Sequence, residues 1–224
     1  MNSFITPNRF GVLLLTAFLF LGSCKANKAT KGAIIGTAGG AAAGALIGKA
    51  SGNTAAGAII GAAVGGTAGY FIGRYMDKQA AELKKDLEGA DVERVGEGIK
   101  ITFREGIQFA VNSAELTTSS KTNLQDLAKV LNKYEDTNIL VEGHTDSTGK
   151  HDYNVSLSEK RATSVSSYLK SLGVTGIRLT TVGYGPDQPV GDNATTDGRQ
   201  LNRRVEVAIF ANDKLKKKAE KGEI

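Results

Sequence analysis

The chain has 224 residues but only one cysteine, two histidines and no tryptophan. A single thiol excludes an internal disulfide and any zinc or iron–sulfur site built from several cysteines. Two histidines leave a thin inventory for catalysis. Charge of one sign is also scarce: 28 basic against 23 acidic residues leave a net +5. The basic residues are scattered among the acidic ones except at the C-terminus, so charge gives no ground for nucleic-acid binding. Glycine is what the chain has in excess, 28 of 224 residues, or 12.5% against an average of about 7%. Thirteen of these glycines and 13 alanines fill 26 of the 42 positions from Gly32 to Gly73. That stretch cannot build an ordinary packed core.

Near the N-terminus, Phe10 to Leu21 is an apolar run of twelve residues broken only by Gly11 and Thr16. It is too short for a hydrocarbon core of roughly 30 Å and has the length of a signal-peptide apolar region. The run ends at Leu21-Gly22-Ser23-Cys24, which resembles a bacterial lipobox. The resemblance implies cleavage before Cys24, lipid modification of that cysteine and a mature chain of 201 residues beginning at it. The bland alternative is an incidental thiol in an uncleaved anchor. Several acyl chains, at about 0.8 kcal/mol per buried CH₂, make attachment effectively permanent. Lys25 stands where an aspartate would favour inner-membrane retention in Gram-negative lipoproteins, and so points to the outer membrane.

Glycines then recur every fourth residue, at Gly32, Gly36, Gly40, Gly44 and Gly48, and again at Gly57, Gly61, Gly65, Gly69 and Gly73. Residues i and i+4 share a helix face, so each run predicts a helix with a flat groove that another backbone can approach closely. Ser51-Gly52-Asn53 between the runs predicts a turn, and together they predict an antiparallel helical hairpin. Glycine costs about 1 kcal/mol per helix position relative to alanine, so such helices need a partner. The pattern resembles a glycine zipper. The first run has only Ile34, Ile35, Leu46 and Ile47 as large apolar residues, which makes insertion marginal, and two readings stay open: a membrane-associating or self-associating module, with homo-oligomers forming through the glycine faces, and a plain spacer.

Asp77 to Glu88 is charged, with a thin apolar seam at Ala80, Leu83 and Leu87, and predicts a solvated connecting helix. The remainder has the character of a globular domain of about 120 residues, enough for its own core. Ile99, Ile101 and Phe103 alternate as in a half-buried strand, and Ile139 to Val141, Leu179 to Tyr184 and Val205 to Phe210 read as further strands. Leu124, Leu127, Leu131 and Tyr134 follow helical spacing, as do Ala162, Val165, Leu169 and Leu172, stopped by Gly173. Strands alternating with helices predict an α+β domain with βαβ units in a mixed sheet, preceded by the Gly/Ala-rich α-helical hairpin. The expected organisation is an export signal over 1–23, a lipidated tether over 24–31, the glycine hairpin over 32–76, a charged linker helix over 77–97, the globular domain over 98–212 and a basic tail over 213–224.

Within that domain, Glu142-Gly143-His144-Thr145-Asp146-Ser147-Thr148-Gly149, then Tyr153-Asn154, Leu157-Ser158, Arg161-Ala162, Gly183-Tyr184-Gly185 and Asn202-Arg203-Arg204-Val205-Glu206 resemble the OmpA-like domain of peptidoglycan-associated lipoproteins, over roughly Ile99 to Phe210. The order of lipobox, glycine zipper, Tyr75-Met76-Asp77-Lys78-Gln79-Ala80-Ala81-Glu82-Leu83 and OmpA-like domain is similar to YiaD-type outer-membrane lipoproteins. Ala110 departs from the acidic residue that relatives often carry after the position of Phe109. The resemblance implies binding of the peptidoglycan stem peptide through diaminopimelate, whose side chain ends in an ammonium and a carboxylate. It assigns the principal contacts to Asp146, an acceptor for the ammonium, and Arg161, a planar fork for the carboxylate. Asn112, Asn154 and Arg203 match supporting positions. The structural alternative is an ion pair between Asp146 and Arg161.

No catalytic residues, cofactor motif or metal site are expected. His144 and His151 with Asp146 and Asp152 make a poor metal cluster, and Ser147, His144 and Asp146 are too close in sequence for a hydrolytic triad. The expectation is a non-enzymatic tether, anchored in outer-membrane lipid through acylated Cys24 and holding peptidoglycan from the periplasmic side. The rival makes the zipper the active part, localised by the wall-binding domain. A third reading, an enzyme acting on peptidoglycan, lacks residues to carry it.

Overall fold

The computed structural model describes residues 54–103, 109 and 112–224. The export signal, Cys24 with its tether, the first glycine run and Ala110 lie outside the described residues. Among those described, a five-stranded mixed sheet carries helices on both faces. The chain enters through α1 (Thr54–Ala62) and α2 (Gly66–Asp86), forms the hairpin β1 (Ala90–Val95) and β2 (Gly98–Phe103), and continues through α3 (Thr118–Lys133) and β3 (Thr137–His144). Helix α4 (His151–Ser171) crosses over to β4 (Leu179–Gly185), and α5 (Thr196–Asn202), β5 (Val205–Ala211) and α6 (Asp213–Glu220) follow.

The strands lie in the order β1-β2-β5-β3-β4. Strand β5 is antiparallel to both neighbours, while β3 and β4 are parallel and joined by the α4 crossover, as a parallel pair requires. All seven residues of β5 are buried, because this central strand is covered on both faces. On one face Val205, Val207 and Ile209 join Ile99, Ile101 and Phe103 of β2 in the main core, against Leu124, Leu127 and Leu131 of α3 and Val165 and Leu169 of α4. On the other face Ala208 and Phe210, with Leu140 of β3, meet α1.

Local chemistry sets the ends of the elements. The Thr117 side chain caps α3 by accepting from Ser120 N. Gly173, at φ +94°, closes α4 where the periodic stripe ends, and Val174 N then returns to Leu169 O at 3.1 Å. The buried Arg178 guanidinium donates to the carbonyls of Leu131, Tyr134 and Thr137, tying the end of α3 to the start of β3.

Three expectations are corrected. The second glycine run is not one helix of a straight hairpin. It breaks after Ala62, where Gly65 and Gly66 adopt φ +73° and +61°, and the Glu97 carboxylate accepts from Val64 N and Gly65 N at 2.8 and 2.7 Å. Two left-handed residues in succession cannot lie inside an α-helix, and the carboxylate takes the amides that the break frees. The connecting helix expected over 77–97 is not a solvated linker. It is the second half of α2, whose Ile72, Met76, Ala80 and Leu83 are buried in the main core, and 90–95 is a strand paired with β2. The basic tail is not wholly solvated either: α6 buries Leu215 and Ala219. No helix among the described residues is long and apolar enough to cross a membrane.

Candidate functional site

The site forms where β3 ends and α4 begins. Glycines hold α4 unusually close to the sheet. A Cβ on Gly143 would fall on Ser158 O, and one on Gly183 would fall on Glu159 N, so these positions admit hydrogen alone. Ser158 is fully buried at this contact, and its hydroxyl accepts from Gly185 N at 2.8 Å. Beyond His144 the chain leaves the sheet held by Thr145 N on Gly185 O at 2.9 Å.

Asp146 stands in the turn that follows. Its Oδ1 accepts from Thr148 N at 2.8 Å, and its Oδ2 from Arg203 Nη1 at 2.7 Å. The Asp146 side chain is 13% exposed and that of Arg203 46%, so the pair sits at a rim rather than in the interior. Burial pushes the Asp146 carboxyl up, but the hydrogen bonds from Arg203 and Thr148 outweigh it and hold the group below the usual carboxylate range. Asn154, in the first turn of α4, is buried and donates from Nδ2 to Thr148 O at 2.8 Å and to Asp146 O at 3.4 Å. It fixes the turn from behind.

Arg161 lies two turns further along α4. Its Nε donates to Ser113 O at 3.0 Å, and its guanidinium carbon is 5.1 Å from the centre of the Phe109 ring. Stacking and one anchored nitrogen hold the plane of the fork. Burial pulls the Arg161 pKa down; the charges of Tyr153 and Asp146 oppose this and Arg203 adds to it, so the two guanidinia and the carboxylate act on one another. Asn112, beside Ser113, is exposed and holds a left-handed φ of 56° that shapes the loop against Arg161. Asp146, Asn154 and Arg203 thus meet at one turn, while Arg161 is held by Ser113 O and the Phe109 ring, next to Asn112. The expected alternative of an Asp146–Arg161 pair gives way to a different one: Asp146 is paired with Arg203.

The histidines separate. His151 is exposed at the start of α4, with Nε2 2.7 Å from Asp187 Oδ1, whereas His144 is buried and stacks on Tyr184 at 5.6 Å between ring centres. Asn202, which the motif carries without an expected role, organises the neighbouring loop. Its Oδ1 accepts from Val190 N and Gly191 N, and its Nδ2 donates to Gly191 O and Asn193 Oδ1. Asn193 Oδ1 in turn accepts from Ser147 N, next to Asp146. Glu142, Arg204 and Glu206 are also buried polar residues without an expected role. A signal was available for them, since charges inside strand patterns must find partners.

Comparison with known proteins adds two family matches: the OmpA family over residues 108–203 and the YMGG-like Gly-zipper over residues 6–77. The chain is 39% identical to "Probable lipoprotein YiaD" of Escherichia coli strain K12, across 85% of this chain and 87% of that protein. It is 33% identical to the "Peptidoglycan-associated lipoprotein" of Buchnera aphidicola, across 59% of this chain and 78% of the relative. Among solved structures, the cell wall anchor of the T6SS from Pseudomonas aeruginosa superposes with a TM-score of 0.52 at 32% identity, covering 61% of this chain and 97% of that one.

Proposed function

The chain belongs to the OmpA-like lipoproteins that carry an N-terminal glycine zipper, and from that premise we propose that it binds peptidoglycan without chemical turnover and tethers the outer membrane to the cell wall. The observation that carries this reading is the Asp146–Arg203 pair at the turn after β3, with Arg161 two turns along α4 held in plane by Ser113 O and the Phe109 ring. An ionised carboxylate has about four lone-pair sites. Thr148 N and Arg203 use one on each oxygen of Asp146, and the others can accept an ammonium. The Nη edge of Arg161 can take a carboxylate bidentately. An anion and a planar cation held this way match the zwitterionic end of diaminopimelate. Because hydrogen bonds and stacking already orient both groups, little side-chain entropy remains to be lost on binding.

The other end of the tether is acylated Cys24, with the folded domain on the periplasmic side. Membrane attachment raises the concentration of the domain at the wall, so a modest affinity per site suffices. The packing of α1 bears on the rival reading. Ala55, Ala58, Ile59 and Ala62 lie against the sheet, which favours a structural part for this half of the zipper over insertion or self-association through that face.

One experiment separates the two ends. The full-length protein should cosediment with diaminopimelate-type sacculi and partition with membranes. Asp146→Ala and Arg161→Lys should each lower sacculus binding at least tenfold and leave membrane partition unchanged, while Cys24→Ser should leave an unlipidated precursor that has lost acyl labelling and still binds sacculi. Sacculus binding at the wild-type level in both site variants would remove the proposed contact.

A further inference from the structure

A polar island lies on the α1 side of the sheet, at the end of β3 that leads into the Asp146 turn. Glu142 and Glu206 are directly opposite one another in the antiparallel β3–β5 pair. His144 follows two residues along β3 and so faces the same side. The three are 0%, 5% and 1% exposed, and one metal-ligating atom from each lies within 4.8 Å of the others. Two carboxylates opposed across strands repel, and buried polar groups need partners.

Those partners are only partly present. Arg204 Nε donates to Glu206 Oε1 at 2.6 Å. Thr54 Oγ1, at the first residue of α1, lies 2.9 Å from both Glu142 Oε2 and Gln188 Oε1. Both ring nitrogens of His144 and Oε1 of Glu142 are buried without a hydrogen-bond partner among the described residues. An imidazole with neither nitrogen satisfied, 3.9 Å from a carboxylate oxygen, is the kind of exception that points to a missing ion or water.

We propose that Glu142, His144 and Glu206 form a binding site for a divalent transition-metal ion of the zinc class. The donor set selects the class: one imidazole and two carboxylates suit zinc, whereas calcium takes six to eight oxygens and magnesium an octahedron of them. Stacking on Tyr184 limits the tilt of the His144 ring, and Arg204 orients the Glu206 carboxylate by a hydrogen bond, the role that outer partners play around metal ligands. The ion would relieve the repulsion between the opposed glutamates and occupy one of the two unpartnered nitrogens of His144. Thr54 closes the site from above, so the ion would also fasten α1 to the sheet.

The test is calorimetric titration of the metal-free full-length protein in detergent with Zn²⁺, with amide exchange read over residues 54–62. Wild type should take one Zn²⁺ per chain and slow exchange in α1. Glu142→Gln preserves shape and His144→Phe preserves the stack on Tyr184; each should weaken uptake at least tenfold and abolish the effect on α1. Retained binding to sacculi reports that both variants fold. His151→Ala should leave uptake unchanged. Absence of uptake by wild type, uptake that survives either site substitution, or uptake lost in His151→Ala would overturn the proposal, the last by assigning the ion to the exposed His151–Asp187 pair.

Discussion

Gly143 shows how much of the site depends on an absent side chain. A Cβ there meets Ser158 O, a backbone atom that cannot swing aside. Gly143→Ala should force α4 away from β3 at a cost of about 1–3 kcal/mol, and α4 carries both Asn154 and Arg161. The expected result is a lower melting temperature together with weaker binding to sacculi; unchanged values for both would refute the close-packing account. At this scale the motif residues were legible because their spacing is local: Asp146, Asn154 and Arg161 fall within 16 positions. The ion pair of Asp146 with Arg203 was not, because its members are 57 residues apart and only the β3–β5 pairing brings them together. Nor does spacing reveal that His144 is buried while His151 is exposed.

Among the elements, α1 departs furthest from its sequence pattern. The period-four glycines predict helix, and helix forms, but the stripe on the sheet is Ala55, Ala58, Ile59 and Ala62, with Gly57 buried beside it. Small side chains let the helix approach, and Ile59 supplies the one large group, seated over Gly98. Ile59→Ala removes a side chain that is 1% exposed and should weaken the docking of α1 by about 2–4 kcal/mol. Faster amide exchange confined mainly to residues 54–62 would be the readout, and unaltered exchange there would show that α1 docks by other means. The break at Gly65–Gly66 escaped the sequence reading because a GxxxG repeat looks the same whether its glycines continue a helix or end one. Strand β1 escaped because Asp91, Glu93 and Arg94 give an edge strand the charge pattern of a solvated segment.

Across the whole molecule, the C-terminal helix returns to the start of β3 through charge. Asp136 Oδ1 lies 2.9 Å from Lys214 Nζ, and Oδ2 lies 2.6 Å from Lys218 Nζ. Burial pushes the Asp136 carboxyl up, but the two lysines outweigh it and hold it below its ordinary value. A depressed carboxyl contributes stability that is complete above its unfolded value and is lost as pH falls through the lowered one. Acidification through the carboxylate range should therefore lower the amide protection factors of residues 213–220, that is, exchange relative to the intrinsic rate at each pH, with no matching change in protection between pH 7 and 9, and Asp136→Asn should remove the acid step. An acid step of equal size in that variant would assign it elsewhere. What the sequence alone determined is what nearest neighbours along the chain can specify: the helical and strand periods, the mixed α+β domain and the motif residues of the OmpA-like family. The tertiary structure decided which charges meet, where the second glycine run lies and which polar groups are enclosed. Those outcomes depend on contacts such as Thr54 with Glu142, 88 residues apart, whose energies exist only after the sheet and its helices have excluded water.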